Sequence, residues 1–236
     1  MKNSLVSLLF LSLLVSAQAT LANAYDPGTS FFFPTAVPRD PGVTLAKGSY
    51  LLGWQFERQF SKGFAAGIHT TVPIGGIAIG PQVKQSLEVA DNFYIGVGAA
   101  AGVGASLIET RDTKSATYYA GGIMSSFDDG RFGFSVGTFM LGGRIGTYDH
   151  VFLADVNTSF RVSQKAKLML DVFSPLGFYN KDDNAFDWGA ATYGFRFHGE
   201  SIYGDVGFLI PISSDTRDIL RYLPLGIPTL SLGIYI

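Results

Sequence analysis

The sequence predicts an all-β chain, a closed antiparallel up-and-down transmembrane β-barrel of about twelve strands, with about ten as the alternative. Three observations predict it. Apolar residues recur at every second position along nearly the whole chain. Tight turns rich in Gly, Asp and Asn alternate with mostly longer connections. Only 15% of the 236 residues are charged, while 47% are hydrophobic. A soluble domain carries about 25% charged residues, so this surface is poorly equipped to face water on every side. The same balance excludes disorder. A formal charge of -2 leaves no electrostatic footprint for nucleic acid. The absence of Cys removes disulfides, thiolate chemistry, Cys-based zinc sites and the lipid-accepting Cys of a lipoprotein.

Residues 1–24 read as a cleaved signal peptide. Lys2 gives the positive start, Leu5 to Val15 the apolar core, and Ala22-Asn23-Ala24 the small-residue cleavage site, so the mature chain begins at Tyr25. Ala17-Gln18-Ala19 is a second, earlier candidate. The apolar run falls short of the ~20 residues that span a bilayer as a helix, and no later segment reaches that length uninterrupted. Residues 25–46 form an N-terminal segment, and the barrel occupies 47–236.

Side chains in a strand point alternately to opposite faces, so period-two alternation marks a strand whose two faces meet different surroundings. Tyr50, Leu52, Trp54 and Phe56 alternate with Leu51, Gly53, Gln55 and Glu57. Phe64, Ala66, Ile68 and Val72 follow, and then Ile77, Ile79, Val83 and Leu87 oppose Gln82, Lys84 and Ser86. Phe93, Ile95, Val97 and Val103 face away from Gly96, Gly98, Gly102 and Gly104. Phe132, Phe134 and Val136 continue the pattern, and Phe152, Val156, Phe160 and Val162 oppose Asp155, Asn157, Ser159 and Arg161. Further strands read at about 116–126, 165–173, 186–197, 202–211 and 226–236.

Tight turns fall at Ser61-Lys62-Gly63, Ala90-Asp91-Asn92, Asp128-Asp129-Gly130, Ser163-Gln164-Lys165 and Gly199-Glu200. Longer connections fall at about 107–115, 142–148, 174–185 and 212–225, with Pro73 to Gly76 a short exception. Outer-membrane barrels show this asymmetry, with short periplasmic turns and longer external loops. If the tight turns are periplasmic, the strand from Tyr50 runs inward and one more strand must precede it. Thr29 to Pro34, with Phe31, Phe32 and Phe33, is the candidate.

Alternation alone also fits a secreted soluble barrel with its apolar face turned inward around a ligand. The composition of the other face separates the two. It is dominated by Gly, Ala, Ser and Thr with isolated charges, which suits a cramped lumen, whereas a water-facing exterior would be rich in Lys and Glu. Aromatic residues crowd toward strand ends, among them Phe60, Phe64, Phe93, Phe132, Phe152 and Tyr203, where interfacial girdles sit. In lipid the sheet must close, because an open edge would leave unpaired backbone groups in hydrocarbon.

The last strand places Leu230, Leu232, Ile234 and Ile236 outward, with Tyr235 beside the end. With the signal peptide and the alternating strands, it resembles the bacterial outer-membrane β-barrel proteins as a broad class, although the terminal residue is Ile rather than the usual aromatic. The resemblance implies location in the outer membrane, among lipid and lipopolysaccharide. It also implies a barrel-assembly complex and periplasmic chaperones as partners.

Chemistry is confined to the lumen. Glu57, Glu88, Asp155, Asp171 and Asp205, with Lys84, Arg161, Lys167 and Arg196, are expected to point inward. Such mixed charges favour a paired network that seals and stiffens the barrel, because an unpaired charge there is costly. The favoured role is therefore structural or passive, with a sealed or narrow lumen. The alternative is a small-solute channel whose lining selects what passes. An outer-membrane lipid-modifying enzyme is the weaker option. His69 faces the lumen, His150 the external rim beside Asp149, and His198 a periplasmic turn. Ser159 lies nine positions from His150, roughly 30 Å along the strand, so the two cannot form a Ser-His pair there. Three His at different depths cannot converge on one metal. The Gly-x-Gly spacings of Gly96 to Gly104 lack the helix of a nucleotide-binding loop. No cofactor is expected. In the last external loop, Arg217, Arg221 and Tyr222 are candidates for contact with lipopolysaccharide phosphates or an external partner.

Overall fold

Strands form where the alternation is strongest, and they close on one another in a computed structural model that describes residues 37–38, 41–49, 53–71, 76–106, 116–145, 148–179, 188–199, 202–213 and 220–236. In chain order they are β1 (Thr44–Ser49), β2 (Gly53–Ser61), β3 (Phe64–Thr71), β4 (Gly76–Ala90), β5 (Phe93–Ser106) and β6 (Ala116–Asp128). They continue with β7 (Phe132–Ile145), β8 (Tyr148–Ser163), β9 (Ala166–Tyr179), β10 (Trp188–His198), β11 (Ile202–Ser213) and β12 (Ile227–Tyr235). Each strand pairs with its chain neighbours, and β1 pairs with β12 to close the barrel. Every pairing is antiparallel, as expected for up-and-down connection. Closure leaves no edge for lipid to contact.

The strand that precedes β2 is Thr44–Ser49. It was expected at Thr29 to Pro34, which, like the signal peptide, lies outside the described residues. The barrel wall therefore begins at Thr44 rather than at residue 47. The seam runs from Leu45 opposite Tyr235 to Ser49 opposite Ser231. Thr44 and Ile236 exchange backbone hydrogen bonds of 2.7 and 2.8 Å beyond it. Both ends of the barrel wall thus lie beside the tight turns.

A second difference concerns 142–148, expected as a long connection. Strand β7 continues to Ile145 and β8 starts at Tyr148, so the connection is residues 146–147 alone. The glycines at 142 and 143 are absorbed by a register shift between Gly142 and Ile145. Strand β9 likewise runs past Pro175, which is paired with Leu153 beside a register shift between Phe152 and Leu153, the kind of irregularity where a proline is tolerated in a strand.

The tight turns are built as their residues dictate. Asp128 Oδ1 accepts the Gly130 amide at 2.6 Å, and Asp129 Oδ1 accepts the amides of Arg131 and Phe132, both at 2.8 Å. Gly63 has a positive φ of 100°, and a Cβ there would strike the Ser86 carbonyl. Asn92, the residue type most tolerant of that region after glycine, turns the β4–β5 corner at φ 61°.

Candidate channel lumen

The two faces of the wall are chemically opposite. Outward positions such as Trp54, Phe56, Ile79, Leu87, Val103, Ile123, Phe160 and Leu230 are exposed, while Glu57, Lys84, Asp155, Asn157, Lys167, Asp171, Arg196 and Asp205 are buried inside. A soluble ligand-binding barrel would show the reverse. Exposed phenylalanines flank each of the five tight turns, with Phe60 and Phe64 at the first, then Phe93, Phe132, Phe160 and Phe197. This ring lies where an interfacial aromatic girdle belongs. Tyr203, expected in that girdle, instead points inward at 3% exposure. It shares the parity of Asp205, and its ring lies against Gly233, where any Cβ would collide with it.

The inward rows fall into layers. Near the tight turns the lining is charged. Arg196 Nε donates to Asp205 Oδ1 at 2.7 Å and its second nitrogen to Oδ2 at 3.0 Å, the two-pronged geometry that suits a guanidinium on a carboxylate. Ser231 Oγ donates to Asp205 Oδ2 at 2.6 Å, and Lys47 Nζ lies 4.0 Å from the same oxygen. The guanidinium sits 4.6 Å from the centre of the Tyr203 ring. Residues from β1, β10, β11 and β12 thus lock together around the seam. On β9, beside Arg196 in register, Lys167 Nζ lies 3.8 Å from Asp128 Oδ2.

At mid-depth, Gln82 Nε2 donates to Glu57 Oε2 at 3.0 Å. The two side chains meet across β3 because the position between them, Gly67, has no side chain. Lys84 Nζ donates to the Val37 carbonyl at 3.1 Å, so the chain leading into β1 passes beside an inward-facing lysine. Asn157 Nδ2 donates to Asp155 Oδ2 at 2.7 Å, and Asp171 is the register partner of Asn157.

Toward the long loops the lining turns aromatic and apolar, with Tyr118, Phe139, Leu153, Phe173 and Leu209 all buried. Glycines make the room. Tyr118 lies on Gly102, and its hydroxyl reaches along the wall, over β5 and β4, to a hydrogen bond with His69 Nε2. Phe139 covers Gly122 and Gly137. These beds account for Gly102 on β5 and Gly122 on β6.

Of the nine charges expected inside, Glu57, Lys84, Asp155, Lys167, Asp171, Arg196 and Asp205 are at most 3% exposed. Glu88 and Arg161 keep the inward parity but stand exposed beside the tight turns, where the wall ends before it can cover them. Glu88 is held there by Lys62 at 3.1 Å and by the Tyr94 hydroxyl at 3.4 Å. Sequence reasoning missed Lys47, because the segment Thr44 to Ser49 is short and weakly alternating. It also missed the Tyr118 partner of His69, which lies 49 residues away. Among the described residues, no three His, Cys or carboxylate groups gather as a metal cluster. Arg221 and Tyr222 are exposed within a helical turn at 220–222, and Arg217 lies outside the described residues.

No family model matches the sequence, and no curated protein matches it. Solved structures do match the fold. The KdgM porin aligns with a TM-score of 0.52 at 9% identity, covering 82% of this chain and 96% of its own. The chain has the fold of an outer-membrane β-barrel. The KdgM porin in complex with disordered oligogalacturonate gives the same TM-score and coverage at 8% identity. The NanC porin gives a TM-score of 0.47 at 11% identity, covering 82% of this chain and 97% of its own. An outer-membrane β-barrel of this kind presents its polar lining to whatever enters the lumen, and the arrangement of that lining bears on what it does.

Proposed function

We propose that this barrel is a narrow, water-filled channel for small hydrophilic solutes in a bacterial outer membrane. The observation that carries the reading is a run of buried luminal polar atoms with no protein partner among the described residues. They include Ser86 Oγ, Asn157 Oδ1, Ser159 Oγ, Thr192 Oγ1 and Thr229 Oγ1, with Gln82 Oε1 at mid-depth. Leaving a buried polar group unsatisfied costs about 1–3 kcal/mol. Six such atoms would cost about 6–18 kcal/mol, as much as the whole stability of a typical domain. Water threading the lumen removes that cost. The fold likeness to a porin supports the same reading.

The buried charges of the lumen include four bases, Lys47, Lys84, Lys167 and Arg196, and four acids, Glu57, Asp155, Asp171 and Asp205. This near balance favours small neutral or zwitterionic solutes over long polyanions. The close packing of those charges favours a second reading, a sealed barrel with a structural role. Export by residues 1–24, insertion by the barrel-assembly machinery, and contact of the loop bearing Arg221 and Tyr222 with lipopolysaccharide belong to either reading.

Current recordings across planar bilayers separate the two. The protein is first shown to be folded by heat-modifiable migration on a gel. Discrete current steps are expected, and Glu57→Gln, which keeps the Gln82 contact but removes a charge, is expected to shift ion selectivity toward anions. A folded barrel that stays electrically silent overturns the channel and leaves the sealed barrel.

A further inference from the structure

At mid-depth on β8, Asp155 stands apart from the acids paired near the tight turns. Asp205 has Arg196 and Lys47, and Asp128 has Lys167. Asp155 has no cationic side chain beside it among the described residues, and its one hydrogen-bond donor is the neutral amide of Asn157. Its second oxygen, Oδ1, is buried and open, as is Oδ1 of Asn157. Asp171 sits between them and Thr192, paired in register with Asn157 on one side and with Thr192 on the other. Thr192 Oγ1 is also open, at 0% exposure. Asp155 and Asp171 are diagonal neighbours on the inward face, with Cβ atoms about 7–8 Å apart, close enough for their carboxylates to share one ion.

All of the open atoms are oxygens. Carboxylate, amide carbonyl and hydroxyl oxygens are the ligands of a hard cation, and a flexible set of them completed by water suits calcium better than magnesium. Among the described residues no third carboxylate, His or Cys joins the two acids, which does not suit the tight nitrogen and sulfur geometry of zinc. The basic side chains on the same inward rows, Arg161, Lys167 and Arg196, stand four residues from Asn157, Asp171 and Thr192, about 13 Å along the strands, and Lys167 and Arg196 are engaged by Asp128 and Asp205.

We infer that Asp155, Asn157, Asp171 and Thr192 form a binding site for one partly hydrated calcium ion inside the lumen. The ion supplies the positive charge that the described side chains do not bring to Asp155, and it narrows the passage at mid-depth. Calorimetric titration of the folded full-length barrel in detergent, stripped with chelator and then given calcium chloride, tests it. One saturable site is expected, with a Kd of about 0.1–1 mM, as for weak calcium sites exposed to millimolar calcium. Asp155→Asn is expected to weaken it by about tenfold or more. Asp129→Asn, on a remote turn, leaves it unchanged. If Asp155→Asn fails to give a heat-modifiable band, Thr192→Val, which removes one hydroxyl, is expected to weaken binding by about threefold. The absence of saturable heat from the folded wild type, or an unchanged Kd in the folded variants, overturns the site. Binding in detergent does not depend on conduction. A silent barrel that binds calcium defeats the channel and keeps the site, while a conducting barrel without calcium heat does the reverse.

Discussion

Asp205 illustrates how a full charge survives inside the wall of a barrel. Two hydrogen bonds from Arg196 and one from Ser231 converge on its two oxygens, and the Lys47 ammonium lies 4.0 Å away. Removing one partner of a buried pair leaves the other uncompensated, which costs about 3–5 kcal/mol. Arg196→Met is therefore expected to lower the unfolding free energy by about that amount in reversible urea titration. Asp129 lies outside the membrane-spanning strands and behaves differently. The amides of Phe132 and Arg131 hold its carboxyl below the usual carboxylate range. A folded-state pKa below the unfolded one stabilises the fold above the unfolded value, and that contribution is lost as the pH falls through the folded value. Asp129→Asn should thus lower the urea midpoint at neutral pH, and the gap from wild type should begin to narrow below about pH 3.9 and close as the pH falls through the lower folded-state value. A gap that stays constant down to the most acidic point would show that the turn gains nothing from the charge.

At the scale of the strand, parity decides what a substitution does. Val156 is 42% exposed on the outer face of β8, and the next residue, Asn157, is fully buried in the lumen. An arginine on the lipid face costs about 2–4 kcal/mol at the bilayer midplane and far less near the interfaces. Val156→Arg is expected to destabilise by that amount in lipid vesicles, and an effect under about 0.5 kcal/mol would place this face against water. The same parity made eleven of the strands legible in the sequence, since each had large apolar residues at every second position. It failed at Thr44 to Ser49, where Thr, Lys, Gly and Ser give almost no contrast between faces. It misjudged 142–148, because Gly-Gly reads as a breaker when the local effect is a register shift. Tyr203 is an aromatic near a strand end, the mark of a girdle residue, yet its parity with Asp205 turns it inward. The lining itself was largely readable, since direction follows from parity. The partnerships were not, because Glu57 to Gln82 and His69 to Tyr118 depend on which glycines separate them once the wall has curved.

The whole molecule is a wall of unequal height. Strand β8 has sixteen residues, whereas β1, at the seam, has six. With a rise of ~3.3 Å per residue and a tilt near 40°, β8 covers about 40 Å along the membrane normal and β1 about 15 Å. The apolar band of such barrels is about 25 Å tall. Among the described residues, the strand pairing at β1 therefore falls short of the hydrocarbon it would have to cross, while that at β8 overshoots it. Lipid can follow such a step by thinning on one side, at a cost of fractions of a kcal/mol per Å of mismatch. The surrounding leaflets should accordingly be compressed next to the seam and relaxed across the barrel from it, so that the protein imposes a lopsided relief on its own bilayer.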